Sequence, residues 1–286
     1  MSATPHEISG LPEGSVLYIS VVTHPEHPLH AINRQNLHPA PDFDVASYVR
    51  CVGPWVRSYF APHILDGTVA APPEDLTPYR GVVIGCSLHY FSAHRGALAP
   101  WQLALVEFVR RVIFETKLPY LGVCGGAYLG HLALGGELAP NPKGPGVDPE
   151  CEGSLVLRTT ELALTEEGRA DPLFRGVPPT FGMHHIHSDY IASLAPGCRA
   201  LAHAADLPNQ AVAYGDRVRL LPGAHPELSE TFLRKAAPAF IGSAKFGTDP
   251  SKGADMTSAV ERFAPTPHAN ELLLPNFLRH FCAVAS

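Results

Sequence analysis

Residues 16–22 read VLYISVV, an apolar run rich in β-branched side chains. Such a run is the pattern of a strand buried on both faces of a sheet. Residues 81–85 (GVVIG) and 119–123 (PYLGV) repeat it. Between these runs the period changes. Residues 42–59 place Val45, Tyr48, Val49, Val52 and Val56 at helical spacing. Residues 101–116 do the same with Leu103, Leu105, Val106, Phe108, Val109, Val112 and Ile113 as the buried side. Both segments predict amphipathic helices. A third helix is predicted from Cys124 to Leu134 and is stopped at Gly135 and Gly136, because glycine adopts the left-handed cap that ends many helices. Strands alternating with helices imply a parallel sheet covered on both faces.

The second half of the chain reads differently. Residues 154–165 (SLVLRTTELALT) alternate as a half-exposed strand does, and 181–191, 200–203, 210–214 and 217–221 are further short strands. They predict antiparallel additions to the sheet. Residues 229–240 read as a helix with Pro238 near its end, and 254–286 as two helical stretches around a break at Pro265 and Pro267. The His- and Pro-rich stretch 23–41 reads as a long loop. Residues 1–236 are expected to form the main domain, and 237–286 a helical C-terminal extension packed on it.

Composition narrows the function classes. With 286 residues, 45% of them hydrophobic, the chain can bury a sizeable core. A net charge of −6 argues against a nucleic-acid partner or an anionic membrane surface, since neutralising phosphates needs a basic face. No apolar run approaches the roughly 18 residues that suggest a membrane span. Residues 1–15 carry no Lys or Arg and no apolar stretch, which speaks against a signal peptide. A cytoplasmic location is therefore expected. The six cysteines (Cys51, Cys86, Cys124, Cys151, Cys198 and Cys282) form no C-x-x-C pair and no zinc-like spacing, so reduced thiols are expected.

One cysteine stands apart. Residues 119–131 have the form strand, G-x-C-x-G, helix, with Gly122 and Gly126 flanking Cys124. This is a nucleophile elbow written with a thiol: a sharp strand-to-helix turn holds the nucleophile in a strained conformation at a helix N-terminus. There the helix dipole favours thiolate, and the N–H of Gly125 is placed to serve an oxyanion. Chance matches and phosphate-binding glycine turns share the short pattern, although the Lys-Ser/Thr of a P-loop and the third glycine of a dinucleotide fingerprint are missing. A thiol nucleophile needs a base and a group that orients the base. His225-Pro226-Glu227 follows the last strand and supplies both, two residues apart. Alone it would read as an ordinary surface turn; beside the elbow it reads as base and orienter.

Gly122–Gly126 with His225-Pro226-Glu227 resemble the class I (triad-type) glutamine amidotransferase family, as a stand-alone member, over roughly residues 16–233. Other segments carry the same resemblance. Residues 81–86 resemble the strand and loop of the family's second oxyanion donor, which implies that role for the N–H of Cys86 and a substrate contact at Gly85. Residues 170–178 resemble the segment ahead of the substrate-lining strand, and 209–216 the strand before the catalytic histidine. His187-Ser188-Asp189 resembles the H-G-D turn that meets the substrate's α-amino and carboxylate groups. The resemblance implies an α/β fold of flavodoxin-like type, a three-layer sandwich with a mixed, mainly parallel central sheet. It also implies a Cys124–His225–Glu227 triad acting on glutamine or a γ-glutamyl compound through an acyl-thioester, with no cofactor. A separate ammonia-accepting synthetase subunit is the implied partner if ammonia is transferred; a γ-glutamyl hydrolase needs none. Nothing in the sequence speaks against a homo-oligomer.

The departures gather at the pocket. The family reads C-x-G-[HM]-Q; here Ala127 and Tyr128 stand at the last two positions, which makes Tyr128 the substrate-facing residue. Gly223-Ala224 replaces Q-F ahead of the histidine and is expected to open space beside His225. Ser188 replaces the glycine of H-G-D, and the oxyanion loop carries Cys86 and continues Ser87-Leu88-His89-Tyr90. A non-catalytic, metabolite-binding member of the same fold is the alternative that these changes suggest.

No metal is expected. His184, His185 and His187 crowd one strand with only Asp189 as a third ligand, and His24, His27, His30 and His38 read as surface loop. A Cys86–Cys124 disulfide is conceivable, with simple packing of the thiol as the plainer account. Trp55 and Trp101 are expected to pack in or against helices.

Overall fold

The apolar runs at Val16, Gly81 and Tyr120 become neighbours at the heart of one sheet. The computed structural model describes residues 16–21, 56–60, 72–87, 91–93, 96–140, 158–185, 187, 189–205, 207–228 and 269–283. The strands within them are β1 (Val16–Val21), β2 (Val56–Phe60), β3 (Gly81–Ser87), β4 (Tyr120–Val123), β5 (Ala139–Pro140), β6 (Arg158–Leu164), β7 (Thr180–His185), β8 (Asp189–Tyr190), β9 (Cys198–His203), β10 (Ala211–Tyr214) and β11 (Val218–Leu221). The helices are α1 (Pro100–Glu115), α2 (Gly125–Ala133), α3 (Glu166–Ala170) and α4 (Ala269–His280), with a 3-10 turn at Pro172–Phe174.

The main sheet has nine strands in the order β2-β1-β3-β4-β11-β10-β9-β6-β7. From β2 to β11 every pairing is parallel, and from β11 to β7 every pairing is antiparallel. A short antiparallel pair, β5 with β8, lies apart. All four residues of β4 and of β11 are buried, so both faces of the parallel region are covered, as parallel strands require. This is the expected α/β flavodoxin-like architecture, a mixed sheet with its parallel strands at the site-bearing end.

Helix α1 buries Trp101, Leu105, Phe108, Val109, Val112 and Ile113. Leu103, expected on that side, is 53% exposed. It sits two residues from both Trp101 and Leu105, about 200° round the helix from each, and so falls on the opposite face. Gly135 (φ 81) follows the end of α2 in the left-handed conformation, as its sequence suggested.

Residues 56–60 are not the end of a helix but the edge strand β2, parallel to β1. Val56, Tyr59 and Phe60 are residue types that favour a pleated surface, and the local helical spacing misled. Residues 42–55, the loop 23–41, the helix expected at 229–240, the first part of the tail and Trp55 lie outside the described residues. Trp101 packs edge-on against Phe91, with ring centroids 6.2 Å apart.

The chain's last described helix returns to the sheet. α4 buries Leu273, Leu274, Phe277 and Leu278, and the Asn276 amide donates to the carbonyls of Leu173 (3.0 Å) and Arg175 (2.8 Å). Beneath it a buried fork joins three elements. Arg219 of β11 donates to both Asp171 carboxylate oxygens, at 3.1 and 2.7 Å, while its guanidinium lies 4.8 Å from the Phe281 ring centroid. Among the described residues no helix is long and apolar enough to cross a membrane.

Candidate active site

β4 runs directly into Cys124, whose φ of 50° and ψ of −109° lie outside the regions that L-residues ordinarily occupy. Surrounding contacts hold that strained geometry. The Cys124 N–H donates to the Leu221 carbonyl at 2.9 Å, and its carbonyl accepts from the Tyr128 N–H at 3.1 Å. The glycines around it are sterically required. A Cβ at Gly122 would lie 2.5 Å from the Gly126 carbonyl, one at Gly125 would lie 2.5 Å from Ser87 Cβ, and one at Gly126 would overlap the Ile84 carbonyl. The G-x-C-x-G turn is thus fitted against the end of β3. Carrying the β3–β4 register on from Ile84 beside Gly122 brings Cys86 alongside Cys124, and both thiols are free of disulfides.

The loop after β11 delivers the histidine. Gly223 turns with φ 78°, Ala224 bridges to His185, and the His225 N–H donates to the His184 carbonyl at 2.8 Å. The His-rich strand β7 therefore serves the site through its backbone. The His225 side chain hydrogen-bonds the Cys124 side chain, and its Nδ1–H donates to Glu227 Oε1 at 2.7 Å. All three side chains are buried. Burial by itself disfavours the imidazolium, but the Glu227 carboxylate, Cys124 and the two hydrogen bonds outweigh it, and His225 titrates well above its usual range. Among the described residues, a further set of metal-type ligand atoms overlaps this site. The Cys86 Sγ, a ring nitrogen of His225 and a carboxylate oxygen of Glu227 lie within 4.8 Å of one another.

A second wall is built around Asp189. The Tyr128 hydroxyl donates to the Asp189 carbonyl at 2.6 Å, and His187 Nδ1 lies 2.9 Å from the same oxygen. The Asp189 carboxylate accepts from the N–H groups of Phe91 (2.6 Å) and Ser92 (3.2 Å). It thereby fastens the segment that follows β3. The Phe91 ring stands 6.0 Å from that of Tyr128. Burial, then the charges of Cys124 and Asp189, push the Tyr128 hydroxyl well above its ordinary pKa.

The space expected beside His225 is filled. A Cβ at Gly223 would lie 2.5 Å from His187 Cδ2, so the glycine makes room for the His187 ring rather than leaving a gap. Gly85 is buried within β3, and Ser188 lies outside the described residues. Phe91, the Asp189 carboxylate and the His184 carbonyl were not found from the sequence. The H-S-D turn signalled Asp189, but nothing local signals a bond to Phe91, 98 residues earlier.

No family model matches the chain. Over 121 residues it is 32% identical to "GMP synthase [glutamine-hydrolyzing]" of Thermomicrobium roseum, covering 42% of this chain and 20% of that protein. Over 179 residues it is 27% identical to "Gamma-glutamyl-L-1-hydroxyisopropylamide hydrolase" of a Pseudomonas species, covering 60% of this chain and 57% of that one. The chain thus spans a fifth of the first relative and rather more than half of the second. The fold is similar to a solved glutamine amidotransferase of Thermotoga maritima, with a TM-score of 0.66 and 16% identity over 96% of this chain and 100% of that one.

Proposed function

We propose that the chain, similar in sequence to a glutamine-hydrolysing synthase and a γ-glutamyl amide hydrolase and in fold to a glutamine amidotransferase, hydrolyses a γ-glutamyl amide by a Cys124–His225–Glu227 mechanism. The observation that carries the reading is the buried hydrogen-bonded chain from Cys124 through His225 to Glu227. A member that only binds a metabolite has no need of a strained cysteine (φ 50°) aimed at a histidine that a carboxylate orients.

Cys124 gives its proton to His225, and the thiolate sulfur bonds to the amide carbon. The carbonyl electrons move onto oxygen, where the N–H groups of Gly125 and Cys86 stabilise the oxyanion. As the carbon–nitrogen bond breaks, imidazolium returns the proton to the departing amine, leaving a thioester. Water, deprotonated by His225, then releases the carboxylic acid and the thiol. Glu227 keeps Nδ1 protonated and compensates the imidazolium.

Tyr128 is the proposed reason for a γ-glutamyl amide rather than free glutamine. Its hydroxyl is already bonded to the Asp189 carbonyl, so it offers an aromatic wall, with Phe91, where the family places a glutamine amide. The similarity to a hydrolase named for a γ-glutamyl alkylamide points the same way.

The test is a hydrolysis panel of glutamine, γ-glutamyl alkylamides and γ-glutamyl peptides, with intact-mass detection of the thioester. Turnover of the alkylamides with an acyl adduct on Cys124, abolished in Cys124→Ala, is expected. Unchanged turnover in Cys124→Ala overturns the proposal. Glutamine cleavage that appears only when a cell lysate is added would instead select transfer of ammonia to a synthetase partner.

A further inference from the structure

The mechanism above uses the backbone of Cys86 and leaves its thiol without a task. That thiol has unusual company. Its Sγ, a His225 ring nitrogen and a Glu227 carboxylate oxygen lie within 4.8 Å of one another, the one such group among the described residues. The three side chains are 7%, 2% and 0% exposed. We infer that Cys86, His225 and Glu227 form a site for a thiophilic divalent cation, of which Zn²⁺ is the type, and that the ion acts as an inhibitor.

The donor set fits that class. Zinc takes thiolate sulfur at about 2.3 Å, imidazole nitrogen at about 2.0–2.1 Å and carboxylate oxygen at about 2.0–2.2 Å. Ligand atoms around such an ion stand about 3.3–3.8 Å apart. Separations of no more than 4.8 Å therefore close with side-chain shifts of about an ångström. Three protein ligands leave a fourth position open, as in zinc sites that keep a water. Thiolate and imidazole select Zn²⁺ and Co²⁺ over Mg²⁺ and Ca²⁺, which prefer all-oxygen shells. Cys86 is the decisive member, because His225 and Glu227 without it are only two ligands.

The ion and the reaction compete. A His225 ring and a Glu227 carboxylate engaged on a cation cannot accept the Cys124 proton and orient the base. The site itself rests on the three ligand atoms; only the inhibition rests on the hydrolase reading, so the test reads binding directly.

The full-length reduced chain is titrated with Co²⁺ alone and then with Zn²⁺. One equivalent of Co²⁺ with a thiolate-to-cobalt charge-transfer band is expected, displaced by an equivalent of Zn²⁺. Histidines on the surface could bind cobalt but give no such band. Cys86→Ala is expected to lose at least tenfold in affinity, with the band weakened or lost, while Cys124→Ala, inactive under the hydrolase reading, still binds one equivalent and keeps a band. Glu227→Gln, checked for folding by circular dichroism, is a second variant and is likewise expected to lose tenfold or more. Absence of stoichiometric binding, an undiminished band in Cys86→Ala, or full affinity in folded Glu227→Gln overturns the assignment. In an active preparation, Zn²⁺ stops turnover and a chelator restores it.

Discussion

His225 Nδ1 lies 2.7 Å from Glu227 Oε1, with both side chains buried. The carboxylate, with Cys124, holds the imidazolium well above the ordinary histidine value of 6.5. In the proposed mechanism that imidazolium protonates the leaving amine, so the alkaline limb of kcat/KM should fall above pH 6.5. Glu227→Gln should move the limb to lower pH and reduce kcat by about 10²–10⁴-fold, the range of general acid–base assistance. A variant whose alkaline limb stays in place would deny Glu227 this role.

The same shift has a consequence for stability. A group whose folded pKa is raised contributes stability that is complete below its unfolded value and disappears as pH climbs through its folded value. For His225 the thermal midpoint should be insensitive to this group below about pH 6.5 and should fall as the pH passes the raised value. The decline should be shallower in Glu227→Gln. Melting curves across the alkaline range of both proteins check it; an identical slope in the two would count against the pair as its source.

The site was legible in the sequence where the chemistry is local. Cys124 with its glycines, and His225 with Glu227, are short patterns whose spacing carries their geometry. The parallel strands were legible because a strand covered on both faces must be apolar throughout. The pocket's second wall was not, because Asp189 reaches the Phe91 and Ser92 amides across the fold and no periodicity encodes that. The same holds for the fit of the His187 ring to Gly223, where a missing Cβ reads equally as a gap or as room for a neighbour. Residues 56–60 show the opposite limit. Their spacing suited a helix, and pairing with β1 prevailed over it.

The elbow's glycines should not tolerate a methyl group. At Gly126 the added Cβ would overlap the Ile84 carbonyl, a backbone atom that cannot swing away. Gly126→Ala should cost about 1–3 kcal/mol or more and reduce turnover together with stability. Gly135 is the control. It has φ 81° and nothing within 4 Å of a built Cβ, so Gly135→Ala should cost only the left-handed backbone term of about 1–2 kcal/mol and leave turnover alone. Urea denaturation of both variants separates the two; equal losses would mean that the elbow relaxes.

The Asp171–Arg219 fork should behave as a coupled unit. Asp171→Ala leaves a buried guanidinium without its carboxylate and should cost about 3–5 kcal/mol. Arg219→Met leaves the carboxylate, although Asp171 still accepts the Leu173 N–H at 3.0 Å. The double variant should lose less than the sum of the singles, by about 0.5–3 kcal/mol. A double-mutant cycle in urea measures this, and strict additivity would show that the fork is not an energetic pair.

Tyr128 joins the elbow helix to the opposite wall, and its hydroxyl can be removed without changing its shape. In Tyr128→Phe the Asp189 carbonyl loses a 2.6 Å donor but keeps His187 Nδ1 at 2.9 Å. A carbonyl with one remaining partner is not stranded, so the stability cost should be about 1 kcal/mol, near that of a single net hydrogen bond. The aromatic wall survives, because the ring and its contact with Phe91 remain. KM for a γ-glutamyl alkylamide should therefore rise only severalfold as Asp189 loosens, with kcat nearly unchanged. Tyr128→Gln removes the ring and inserts an amide; it should raise KM for alkylamides more strongly and improve glutamine relative to them. Steady-state kinetics on both substrates test this, and a collapse of kcat in Tyr128→Phe would instead make the hydroxyl part of the chemistry.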